Sequence, residues 1–156
     1  MRVSLLRSPT SPDPEADQGK QRFTYSLLPH TGSWNETTVA SAYALNDPLI
    51  AWCPSESPTD SAHSGQGMSA PLVSVDQPNI VIETIKQAES GNDVVVRLYE
   101  SQRRRGKVTL TTSFELAEAW HTNLLEEPQT SLDIEGNNVS LFVKPYEIVT
   151  LRLTPA

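Results

Sequence analysis

Among the side chains able to do chemistry, the carboxylates of Asp13, Glu15 and Asp17 stand closest together, at alternate positions of one proline-rich loop. Hydrolysis of a glycosidic bond needs two carboxyls facing each other across a sugar, about 5–5.5 Å apart in retaining enzymes. This loop has the right groups, but such loops are more often hydrated or turned to cap their own backbone. The histidines, His30, His63 and His121, are far apart and form no metal-ligand pattern such as HxH or HExxH. Cys53 precedes a proline with no histidine nearby, which reads as a buried structural thiol. No G-x-S-x-G elbow is present, and Gly65-Gln66-Gly67 is too short to cradle a phosphate. The residues themselves therefore assemble no active site, and we expect neither a catalytic residue nor a metal ligand set in this chain.

The stretch that organises everything else runs from Ile80 to Ser101. Ile80–Lys86 and Asp93–Glu100 are dense in Val and Ile, which suit a pleated surface. Glu89-Ser90-Gly91-Asn92 between them supplies residues that tolerate a tight reversal, so the stretch reads as a β-hairpin. Neither arm alternates cleanly, which predicts strands buried on both faces inside a sandwich. Glu83 and Arg97 fall opposite each other if five residues close the turn, and a structural ion pair across the strands is expected.

At 156 residues the chain has the length of one domain, and the sequence reading treats 1–156 as a single one. A net charge of -7 argues against a nucleic-acid surface. The basic run Arg103-Arg104-Arg105 reads as a solvated hairpin tip. One cysteine gives no disulfide framework. No stretch approaches the roughly 20 apolar residues of a membrane span, and no membrane partner is expected. No secretory leader is visible at Arg2–Arg7, which fits either a cytoplasmic chain or the tail of a longer one. The sequons at Asn35 and Asn138 are then read as chance.

Along the chain, Val3–Arg7 reads as a short strand that starts abruptly. Its pairing partner would be missing or come from another copy, so Ser4–Arg7 is expected near a sheet edge, and a homo-oligomer is one expectation. Phe23, Tyr25 and Leu27 alternate with polar residues, the pattern of a half-buried strand. Ser33 as N-cap with Glu36 three residues on fits a capping box. Val39, Ala42, Tyr43 and Leu45 follow as a short helical face, stopped by Asn46 and Pro48. Leu49–Trp52 reads as extended and 54–67 as a flexible loop rich in Ser, Pro and Gly. Leu72–Val75, Lys107–Phe114, Leu116–Leu125, a hairpin over Leu132–Val143 about Glu135–Asn138, and Tyr146–Leu153 complete about eight strands. The fold class expected is mainly β, an antiparallel β-sandwich with one short helix. Trp34, Trp52 and Trp120 are scattered singly, which favours burial over stacking on sugar rings.

The segments Ser4-Leu5-Leu6-Arg7-Ser8-Pro9, Ala16-Asp17-Gln18-Gly19, Phe23–Leu27, Ala42–Asn46, Ile82–Glu89, Val96–Glu100, Asn123–Glu126 and Pro145–Ile148 occur in an order that closely resembles the C-terminal part of α-mannosidases. The family is glycoside hydrolase family 38, in its cytosolic and bacterial branch. The motifs LLRSP, RLYE and NLLEE are specific in combination, and the likeness spans nearly the whole chain. The resemblance implies a long, retaining enzyme whose catalytic Asp and zinc or similar divalent metal lie in an N-terminal domain absent from this sequence. It implies that the present chain is β-sandwich structure supporting that domain, cytoplasmic, inactive alone, and near mannose-containing oligosaccharides only through the intact enzyme. In that setting the loop from Asp13 to Asp17 is expected exposed and facing the catalytic domain, where Asp13, Asp17 and Arg22 would order the rim of the sugar site. The chain departs from the family pattern at Gln21, where the family has His. An independent carbohydrate-binding or protein-interaction module is the alternative, although the sequence shows no preformed concave sugar site.

Overall fold

A computed structural model of the chain describes residues 3–50 and 71–156. The expected flexible loop at 54–67, together with Trp52, Cys53 and His63, lies outside the described residues. The chain divides into two compact units, Met1–Gly32 and Ser33–Ala156.

The first unit contains no helix or strand among its described residues. Val3–Arg7 is therefore not a strand, and Phe23–Leu27 is not a strand either. Phe23, Tyr25 and Leu27 are exposed. An alternating pattern makes a strand only when a neighbour takes up its backbone N–H and C=O groups, and here no such ladder forms.

The second unit begins with α1, Glu36–Asn46. Its cap is Asn35, two residues past the expected Ser33. Asn35 Oδ1 accepts from the Thr38 N–H at 3.2 Å, and Thr38 Oγ1 accepts from the Asn35 N–H at 3.2 Å. Thr38 thus takes the reciprocal role that the sequence reading gave to Glu36. The helix stops at Asn46, where the Asp47 N–H still reaches the Tyr43 carbonyl. No residue of α1 is buried; Val39 and Tyr43 are half-buried. Leu49 and Ile50 follow, exposed and without regular structure.

Nine strands come next: β1 Val73–Val75, β2 Ile80–Gln87, β3 Val94–Glu100, β4 Gly106–Thr112, β5 Leu116–Thr122, β6 Pro128–Ser131, β7 Ile134–Glu135, β8 Asn138–Val143 and β9 Ile148–Pro155. They form two sheets, ordered β1-β4-β8-β7 and β2-β3-β9-β5-β6, with every pairing antiparallel. This is the expected β-sandwich with one helix. Only β2–β3, β5–β6 and β7–β8 are hairpins; the other connections cross between sheets. The run Arg103–Arg105 is one of these crossings, from β3 to β4, and so is not a hairpin tip. β6 was not foreseen, because Pro128-Gln129-Thr130-Ser131 carries no apolar pattern; all four residues are exposed at the sheet edge.

Alternation sets the core. Val108 and Leu110 from β4, Val139, Leu141 and Val143 from β8, and Val149, Leu151 and Leu153 from β9 point inward with Val96 and Leu98 of β3. Each such side chain contributes about 1.5–3 kcal/mol by leaving water. The central hairpin forms where expected, about Gly91 at φ +82°. Arg152 crowds this turn: its Nη2 donates to the Ser90 carbonyl at 2.8 Å and lies 3.6 Å from where a Gly91 Cβ would stand. Burial on both faces holds only in part. β2 is an edge strand with Ile80 its one buried residue, whereas β3 lies between β2 and β9. A bulge between Ile82 and Thr84 places Thr84, not Glu83, opposite Arg97.

Candidate functional site

In the first unit, Asp13 and Asp17 brace their own loop. Asp13 Oδ1 accepts from the Glu15 N–H at 2.9 Å, and Asp17 Oδ2 accepts from the Ser8 N–H at 3.2 Å. The Ala16 and Gln18 N–H groups add turn bonds to the carbonyls of Asp13 and Glu15, both at 3.3 Å. Asp17 itself sits at φ +60°, a conformation that Asp tolerates better than most residues. Gln21 donates to the Asp17 carbonyl at 3.5 Å. Asp13, Asp17 and Arg22 are all exposed. The carboxylates therefore do what a short acidic loop commonly does, holding backbone donors, while their other oxygens face solvent.

Other sequence candidates stay apart. His30 Nδ1 lies 3.2 Å from the Thr31 carbonyl, and His121 is half-buried on β5. Among the described residues, no group of three His, Cys, Asp or Glu side chains is placed to hold a metal ion. Trp34 is 53% exposed, against the burial expected for it, while Trp120 is half-buried with its Nε1 donating to Glu118 at 3.0 Å.

What the structure brings together, and the sequence reading did not, lies in the second unit around β3. Residues opposite one another across an antiparallel ladder share a face, so Val95, Arg97 and Tyr99 align with Arg152, Thr150 and Ile148 of β9 on the outer face of the five-stranded sheet. Over that face lies a groove of about 530 Å³ whose walls include Val39 of α1, Tyr99, Tyr146 and Ile148, with Glu83 and Arg97 set into them. A second hollow of about 290 Å³ under α1 shares Val39 and Tyr99 with it. The Tyr43 and Tyr99 hydroxyls meet at 3.0 Å and join helix to sheet. That bond pushes the Tyr43 hydroxyl up to about 12, with burial and the charge of Glu83 adding to the effect. Glu36 at the start of α1 pairs with Arg104 at 3.1 Å, tying the helix to the β3–β4 crossing. The sequence signals were present but scattered: Tyr43 on the helical face, Arg97 and Glu83 as the hairpin's charges.

Two further polar clusters brace the sandwich. The Glu100 carboxylate, 1% exposed, accepts from Asn79 Nδ2 at 2.9 Å, the Gln102 N–H at 2.7 Å and the Tyr146 N–H at 3.0 Å. Glu126, in the connection between β5 and β6, receives the Lys86 ammonium at 2.7 Å and the Glu89 N–H at 2.8 Å. Lys86 also pairs with Glu89.

Fold and side-chain placement together define a β-sandwich domain whose buried charges fasten loops to strands. Residues 79–151 match the model of the glycosyl hydrolases family 38 C-terminal beta sandwich domain, and this part of the chain is such a domain. Over nearly its whole length the chain is homologous to α-mannosidases. It is 38% identical over 157 residues to human alpha-mannosidase 2C1 and 39% identical over 158 residues to the mouse protein, each time across 97% of this chain and 14% of the relative. Alpha-mannosidase G of Dictyostelium discoideum is 36% identical over 154 residues, 96% of this chain and 14% of that protein. The chain thus spans about one-seventh of the length of these relatives. Among the described residues, no helix is long and apolar enough to cross a membrane.

Proposed function

We propose that this chain is the non-catalytic C-terminal β-sandwich region of a retaining, metal-dependent α-mannosidase acting on α-mannosides of oligosaccharides. One observation carries the reading: 38% identity to human alpha-mannosidase 2C1 across 97% of this chain but only 14% of that protein. The partner is then an N-terminal catalytic domain of the same enzyme, working in the cytoplasm, as the resemblance to the cytosolic branch implies. Zinc or a similar divalent cation belongs to that domain, and this chain needs no cofactor of its own. The chain's contribution is support for the catalytic domain, and cleavage of the oligosaccharide takes place only in the assembled enzyme.

Asp13, Asp17 and Arg22 order the rim of the sugar site on this reading. Exposed side chains, held by a loop whose backbone is already braced by its own carboxylates, suit that role because positioning is best done by groups with little freedom left to lose. The test has two arms. The isolated chain should leave an aryl α-mannoside uncleaved with or without added zinc or cobalt, while the intact protein turns it over. Deleting residues 8–19 from the intact protein should lower mannosidase activity well before it lowers the unfolding midpoint. Turnover by the isolated chain that disappears on Asp13→Ala or Asp17→Ala would overturn the non-catalytic reading. Unchanged rates after the deletion would remove the rim role.

A further inference from the structure

From the groove on the outer face of the five-stranded sheet we infer a second, non-catalytic carbohydrate site, which takes a neutral mannose-type oligosaccharide between α1 and the β8–β9 turn. Its volume, about 530 Å³, falls in the range of roughly 300–1,000 Å³ typical of small-ligand sites. The walls are Tyr99, Tyr146, Val39 and Ile148; Tyr146 is 57% exposed and Ile148 62% exposed. A pyranose offers an apolar C–H face to such a wall and a rim of hydroxyls that both donate and accept. The polar groups of the groove match that rim. The bulge at Glu83 takes this carboxylate out of ladder register, and it lines the groove as an acceptor. Arg97 is fixed by its Nε bond to Thr150 Oγ1 at 3.2 Å, and its terminal nitrogens make no hydrogen bond among the described residues. Glu83 and Arg97 form no ion pair with each other among those residues, so acceptor and donors are both open.

Two competing occupants fit less well. A peptide adding as a strand needs a free backbone edge. β3, the strand beneath the groove, is paired on both sides, by β2 and by β9. Glu100 also lines the groove, but its carboxylate is buried and already hydrogen-bonded to Asn79, Gln102 and Tyr146. A strongly charged partner would therefore meet the Glu83 carboxylate and the Arg97 guanidinium, which cancel. An uncharged ligand recognised by side chains alone is what remains. The choice of mannose among sugars rests on the reading that the intact protein acts on mannosides.

The experiment titrates the 156-residue chain with α-linked mannotriose, read by saturation-transfer NMR and by shifts of the Tyr99 and Tyr146 ring signals. We expect saturable binding, and loss of affinity by about tenfold in Glu83→Gln and in Arg97→Met. Glu83 is exposed, so its variant tests the site even where Arg97→Met fails to fold; unfolding midpoints identify that case. In the intact protein, Glu83→Gln should leave aryl α-mannoside turnover unchanged while raising KM for a long mannoside. Aryl-mannoside turnover tests the proposed function and mannotriose binding tests the groove, so either can fail alone. The inference is overturned by absence of saturation, by equal affinity of Glu83→Gln and the parent, or by groove variants that instead dissociate a dimer.

Discussion

Asn79 and Glu100 meet inside the sandwich, the Asn79 side-chain amide donating to the Glu100 carboxylate at 2.9 Å with both residues buried. The pair closes one end of the central hairpin, since Ser101 in turn donates to the Asn79 carbonyl through its N–H at 2.8 Å and its Oγ at 3.0 Å. Tyr146, at φ +57°, brings the β8–β9 turn onto the same carboxylate.

Glu100→Gln should therefore lower stability by about 3 kcal/mol, because its amide NH₂ would face donors that need an acceptor. The acid limb has a definite sign. Burial, the largest single influence on Glu100, pushes its pKa upward, but the N–H of Tyr146, the amide of Asn79 and the N–H groups of Arg104 and Gln102 outweigh it and hold the group at about 2. A folded-state value below the ordinary 4.5 means stabilisation that is complete above 4.5 and is lost as pH falls towards 2. Urea midpoints of parent and variant should differ most at neutral pH and converge in acid. A gap that stays constant down to about pH 2 would contradict this account.

Glu126 ties the β5–β6 connection to the first hairpin, and its carboxyl is lowered chiefly by the Lys86 ammonium and then by the Glu89 N–H. Lys86 is raised in return, by Glu126 first and Glu89 second. The contact is thus present above the usual carboxylate range and weakens as pH falls through the depressed value. In Glu126→Gln, hydrogen exchange at the Glu89 amide should quicken by about tenfold or more while the core strands stay protected. Equal protection in both proteins would show that the connection is held by something else.

The joint between α1 and the sheet rests on Tyr43 and Tyr99, whose hydroxyls are 3.0 Å apart. Tyr43→Phe should cost about 1 kcal/mol and raise exchange throughout the helix, which has no buried residue of its own. Ultraviolet titration should find Tyr43 ionising near 12, and in Tyr99→Phe nearer its ordinary 10. Because the folded value is raised, the contribution is complete below 10 and disappears as pH climbs through 12. Ionisation unaffected by Tyr99→Phe would dismiss the bond.

Leu110 and Ile85 separate core from edge. Leu110 is fully buried, and Leu110→Ala should cost about 2–5 kcal/mol through lost transfer energy and the cavity left behind. Ile85 is 42% exposed on edge strand β2, so Ile85→Ala should cost less than about 1 kcal/mol. Comparable losses at the two sites, measured by denaturant unfolding, would mean that β2 is covered on both faces.

Much of the sandwich was readable because strand signals are local. β-branched runs, period-two alternation in β4, and glycines at two of the three hairpin turns, Gly91 at φ +82° and Gly136 at φ +64°, are properties of neighbouring residues. Leu116–Thr122 proved extended despite its helix formers, since β5 is paired by β6 and β9. Where the local signal is ambiguous or silent, the fold departs from it. The cap moved from Ser33 to Asn35, and β6 was missed.

By itself, then, the sequence determined where most strands and turns lie, the one helix among the described residues, and a family likeness strong enough to name. The tertiary structure alone decided which strands are central and what the charges touch. Val3–Arg7 and Phe23–Leu27 have strand patterns but no ladder partner, whereas the equally apolar Val94–Glu100 gained one on each side. Glu83 lost its expected place opposite Arg97 to a one-residue bulge, which turned a presumed ion pair into two open groups lining a groove. Glu100 became the buried brace of the fold through partners 21 and 46 residues away. Periodicity is written in adjacent residues, but pairing and burial depend on surfaces supplied by distant ones, and only the folded chain brings those together.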